Sequence, residues 1–63
     1  MSEKYNEILE IVNSLSDDVE KFYFKGSLIA GTRLRKGLNQ LRRKAKEMRD
    51  EIQLIRAERK NSK

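Results

Sequence analysis

The chain reads as all-α: an antiparallel two-helix hairpin of the coiled-coil type, with a longer second helix, that dimerises into a helical bundle. Three observations carry this expectation. Apolar residues recur at alternating spacings of three and four through most of the sequence, the pattern of helices that pack by knobs into holes. Gly26-Ser27 interrupts that pattern once. Proline is absent from all 63 residues, so nothing else punctuates a helix.

The first helix is expected over about residues 3–24, where Tyr5, Ile8, Val12, Leu15, Val19 and Phe22 form one stripe. A turn follows at 25–27. Gly26 suits the position just past a helix end because it adopts positive φ at little cost, and Ser27 suits the N-cap of the next helix. The second helix is expected over about 28–59, on Leu34, Leu38, Leu41, Ala45, Met48, Ile52 and Ile55, with a frayed basic tail at 60–63. Single domain and hairpin therefore coincide, spanning residues 1–63. Ala30 and Gly31 are small enough to let the two helices approach opposite Val19 and Phe22.

Size makes a second copy part of the expectation. Below roughly 70–80 residues a single core rarely supplies more than about 3–5 kcal/mol without a staple. Cysteine and histidine are both absent, which removes disulfides and ordinary zinc sites. Oligomerisation is the staple left. At about 1.5 Å per residue the second helix outruns the first by roughly 15 Å, leaving Ile52, Leu54 and Ile55 overhanging. Leu9 and Ile11 widen the first stripe beyond what a two-helix seam uses. A homodimer, or a higher homo-oligomer, is expected.

Charge is segregated along the chain. Residues 1–20 hold one Lys and six acids, a net of −5, whereas residues 21–63 hold fourteen Lys or Arg and four acids, a net of +10. No acid occurs between Glu20 and Glu47, a window containing Lys21, Lys25, Arg33, Arg35, Lys36, Arg42, Arg43, Lys44 and Lys46. A concentrated positive field on a rigid rod selects a polyanion, and double-stranded DNA is the expected partner, with RNA left open. Arg35, Arg42, Arg49 and Arg56 recur every seven residues, about 10 Å apart along one heptad column beside the apolar stripe. Such a row matches a groove roughly 12 Å wide, and guanidinium groups fork onto phosphate oxygens. Arg33, Arg35, Lys36, Arg42, Arg43, Lys46, Arg49 and Arg56 are the candidate DNA-binding residues. Two other readings of the column stay open: pairing with acids of a second subunit, and a plain solvated face.

Little in this surface reads bases. Asn39 and Gln40 have the chemistry to do so, although helix-surface amides are ordinarily just solvated, so backbone-dominated binding is expected. Tyr23 and Phe24 turn outward beside the turn, either to cap the hairpin end or to stack on bases or wedge into a minor groove. Without His or Cys the commonest general base and thiol nucleophile are missing. No enzyme activity, cofactor, metal or small-molecule substrate is therefore expected. With no signal segment and no apolar run near 20 residues, a cytoplasmic, nucleoid location without a membrane contact is the expectation.

The stretch FYFKGSLIAGTRLRKGLNQLRRKAKEMRDEI, residues 22–52, resembles the bacterial linker-histone-like family, which includes the chlamydial histone-like proteins. Members share an acidic first helix, a Lys-Gly-Asn turn, an Ala-rich step into a Thr/Gln-Arg-x-Arg element, and an amphipathic helix. Lys25-Gly26-Ser27 and the run from Ala30 to Lys36 follow that pattern. The resemblance implies a nucleoid-associated protein that binds and compacts DNA. Two departures stand out. Some members carry a long Lys/Ala-rich tail, whereas this chain ends in RKNSK and is expected to be a short form keeping the helical module. Leu28 and Ile29 are bulkier than the small or charged residues usual after the turn and read as an extra apolar contact at the hairpin tip. The alternative function, with the arginines pairing with an acidic partner or a second copy, is a coiled-coil interaction module without intrinsic nucleic-acid binding.

Overall fold

A computed structural model describes residues 3–61 and, within them, three helices: α1 (Glu3–Ser14), α2 (Ser16–Lys25) and α3 (Leu28–Asn61). All of the described secondary structure is helical. The second limb, α3, is much the longer at 34 residues. Together they form a rod measuring 56 × 18 × 12 Å. Of the basic tail expected at 60–63, Lys60 and Asn61 continue α3, and residues 62 and 63 lie outside the described residues.

The first limb is not one helix. It breaks at Leu15, where the amide bonds back to Val12 O at 3.1 Å, an i−3 contact in place of the usual i−4. The cause is local. Ser14 Oγ donates to Ile11 O at 2.7 Å and Ser16 Oγ donates to Asn13 O at 3.1 Å. These hydroxyls compete for carbonyls that an uninterrupted helix reserves for its own amides. The continuous helix expected over 3–24 is therefore two helices, the second ending at Lys25.

The turn is held at both sides. Gly26 sits at φ 68° and ψ 24°, a left-handed conformation that a Cβ makes costly. The Ser27 amide donates to Lys21 O at 3.0 Å, closing the end of α2. Ser27 Oγ then accepts from the Ala30 amide at 3.2 Å, capping the start of α3.

Contacts between the limbs run in opposite order along them. Lys4 meets Glu47, Glu7 meets Lys44, Asp18 meets Arg33, Leu15 lies against Gly37 and Phe22 against Gly31. Both glycines are notches for a neighbouring side chain. A Cβ on Gly31 would sit 2.7 Å from the Phe22 ring, and one on Gly37 would run into Leu15.

Very little is buried. Ala30 is fully covered and Leu34 is 8% exposed, and these two are the whole buried apolar core of the described chain. Gly37, Leu41, Lys44, Ala45 and Met48 are half-buried along the same line. The seam is thus rotated from the expected stripe: Leu38, Ile52, Tyr5 and Val12, expected within it, are exposed. A stripe wider than one seam allows this shift. The packed limbs use one side of the stripe and leave the other open.

Candidate nucleic-acid interface

Helical geometry gives the rod two unlike edges. On one, carboxylates of the first limb clasp cations of α3. The Arg33 guanidinium donates through Nε and Nη2 to Asp18 Oδ1 at 3.1 and 2.9 Å. Lys44 Nζ donates to Glu7 Oε1 at 2.9 Å, and Lys4 Nζ donates to Glu47 Oε1 at 2.9 Å. Lys44 also approaches Glu47 at 3.5 Å, joining these two pairs into a network. The hydrogen bond from Lys4 and its charge hold the Glu47 carboxyl below its ordinary value. The hydrogen bond to Glu47 raises Lys4, that to Glu7 raises Lys44, and that to Asp18 raises Arg33.

The opposite edge carries the open side of the apolar stripe: Tyr5, Val12 and Val19 from the first limb, Leu38 and Ile52 from α3, all exposed. Arg35, Arg42, Arg49 and Arg56 run along its outer margin at seven-residue intervals, each exposed. Among the described residues none of these four arginines makes an ion pair. Lys36 and Arg43, further round α3, are likewise exposed and without an ion pair. A shallow concavity of about 300 Å³ brings Arg42, Arg43, Lys46 and Arg49 together, with Asp50 on its rim. The first turn of α3 contains no acid.

The eight candidate residues therefore fall into two groups. Among the described residues, Arg35, Lys36, Arg42, Arg43, Arg49 and Arg56 keep their charge unmatched. Arg33 is engaged by Asp18, and Lys46 donates to Asp50 at 2.9 Å. Arg43 leaves its in-helix neighbour Glu47 to the two lysines. Lys46 and Asp50 pair at i,i+4 along α3, whereas Glu7 and Asp18 reach across to it from the first limb, which sequence spacing does not signal. Lys21 and Lys25, outside the candidate set, are also exposed and without an ion pair. Their place in the acid-free block was the available signal.

A family model described as Histone H1-like protein Hc1 matches residues 2–58. The chain belongs to this histone H1-like Hc1 family. That match spans both limbs of the rod and the whole arginine column. No curated protein and no solved structure matches the chain. This Hc1-family protein has no described helix long and apolar enough to cross a membrane.

Proposed function

We propose that this Hc1-family protein is a nucleoid-associated DNA-binding protein of the cytoplasm. It grips double-stranded DNA through α3 with little sequence preference and contributes to compaction as a dimer of antiparallel hairpins. One observation carries the reading. Six exposed cations on a single helix, Arg35, Lys36, Arg42, Arg43, Arg49 and Arg56, find no carboxylate among the described residues. Phosphates supply the missing charge, and family membership supports the choice of DNA. Contacts of this kind fix position on the duplex and carry no base information. The open apolar edge supports the dimer, because a hairpin with two buried apolar residues has little core of its own.

Titrating salt in a binding assay tests this directly. With about six phosphate contacts on B-DNA, log K should fall against log salt with a slope near −5, from about −0.9 per contact. A slope near zero overturns the proposal. Parallel titrations with duplex RNA and single strands report which nucleic acid is preferred.

The same open edge favours a second reading, a coiled-coil interaction module whose arginines pair with acids of a partner or a second copy. Reversing Arg42 and Arg49 to Glu separates the two. A DNA binder loses affinity and keeps its oligomeric state, whereas an interaction module dissociates and shows no nucleic-acid binding to lose.

A further inference from the structure

The hairpin tip carries the most exposed large apolar side chains among the described residues: Phe24 at 83%, Leu28 at 80%, Tyr23 at 69% and Ile29 at 68%. They occupy the last turn of α2 and the first turn of α3, so they project from one end of a 56 Å rod. The fold leaves them largely uncovered. At this end the seam is completed by Ala30, Leu34 and Phe22 over Gly31. Helical spacing turns Phe24 away from the edge formed by Val12, Val19 and Leu38, whereas Leu28 and Tyr23 share a concavity with Arg35 and Leu38 at the end of that edge. A second copy packed on that edge therefore leaves Phe24 bare.

A basic collar surrounds this apolar point. Lys21 and Lys25 flank Phe24 on α2, exposed and without an ion pair, and Arg35 and Lys36 follow on α3. Of the nearby acids, Asp18 is held by Arg33, while Asp17 and Glu20 lie a turn or more back along α2. Tyr23 is seated edge-on against Phe22, ring centroids 5.2 Å apart at 87°. Phe24 has no such contact and is the side chain with most freedom to enter a partner.

We infer that the tip is a DNA wedge. Phe24, supported by Leu28 and Ile29, enters the minor groove and parts the stack at one base step, while Lys21 and Lys25 hold the flanking phosphates. Apolar wedges of this kind kink a duplex by about 20–90° toward the major groove. The charge around the tip suits phosphates. Its geometry suits a groove better than a bilayer surface, because a few side chains at a point cannot bury the lateral apolar face with which an interfacial helix binds lipid. The inference rests on the DNA-binding reading and adds to it a bend that α3 alone does not produce.

The test uses the full chain on duplexes labelled at both ends for energy transfer, with intact DNA and with a central mismatch that is already easy to unstack. The wild-type chain should bring the ends together and bind the mismatched duplex several-fold more tightly than the intact one. The variant F24A/L28A, with circular dichroism confirming its helices, should keep its affinity for intact DNA and its salt slope while losing the bend and the mismatch preference. An unchanged bend in the variant overturns the wedge. So does wild-type binding without bending. Vesicles of anionic phospholipid and sedimentation of the free chain complete the experiment. Vesicle binding or self-association that F24A/L28A abolishes, with bending unaffected, reassigns the tip to a bilayer or a second copy. If no duplex binds at all, the DNA-binding reading falls too, so the two failures are told apart.

Discussion

The two edges of the rod are built from the same alternation of charge and apolar residues, yet they treat charge in opposite ways. On one, Lys4, Arg33 and Lys44 are matched by Glu47, Asp18 and Glu7 across the limbs. On the other, Arg35, Arg42, Arg49 and Arg56 have no carboxylate to meet, and the apolar side chains between them and the first limb are open. The difference teaches where the acidic half of the sequence is spent. Glu7 and Asp18 quench only the cations that register with them, and the surplus positive charge collects where the first limb presents Val12, Ser16, Val19 and Tyr23 instead. One edge ties the two limbs together. The other is left for something outside it.

Charge reversal exploits this contrast most strongly. R42E/R49E removes two phosphate contacts and adds two repulsions, so duplex affinity at moderate salt should drop on the order of 100-fold or more, with helix content unchanged by circular dichroism. R33Q, on the matched edge, should leave affinity within a few-fold and lower thermal stability instead. Equal losses from both variants would erase the distinction between the edges.

Apolar truncation comes next. L34A empties one of two buried apolar positions and should cost about 2–3 kcal/mol in urea unfolding, enough to unfold much of the population of so small a domain. L38A, on the open edge, should barely affect an isolated hairpin but raise the concentration at which sedimentation shows a dimer. If L38A melts the chain as readily as L34A at dilutions where no dimer forms, the open edge belongs to the core.

Acidity gives the smallest effect, because the matched edge is solvent-exposed and such pairs contribute little. Glu47 is held below its ordinary value of 4.5, so its contribution is present above that pH and is lost as pH falls through the lowered folded value. Lys4 and Lys44 are raised above 10.5, so theirs is complete below that pH and is lost as pH rises through the raised values. Thermal stability should therefore be flat between about 4.5 and 10.5 and sag at both ends. The variant E47Q should flatten the acid-side sag; an identical acid limb in wild type and E47Q would show that this carboxylate contributes nothing.

The helical class and the longer second helix were legible because apolar periodicity and a single Gly-Ser interruption are both properties of local sequence. The break at Leu15 was not, since Ile8, Val12, Leu15 and Val19 keep their spacing straight through it. Its only trace is Ser14 and Ser16 on either side. The seam register was hidden for a different reason. Counting apolar residues finds the middle of the stripe, whereas α3 packs along Leu34, Gly37, Leu41 and Lys44, a line containing a glycine notch and a lysine stem. Among the candidate site residues, the acid-free block located the cations but could not tell that Arg33 is engaged across the limbs. That distinction is made by tertiary register.

The serine-flanked interruption also bears on the order in which the molecule assembles. It cuts the first limb into pieces of 12 and 10 residues, at or below the length at which an isolated helix persists in water, about 12–15 residues. The second limb, with 34, is well above it. The cationic helix should therefore act as the template on which two weaker acidic segments zip up, and amide-exchange protection appearing in α3 before α1 and α2 during refolding is the expected sign.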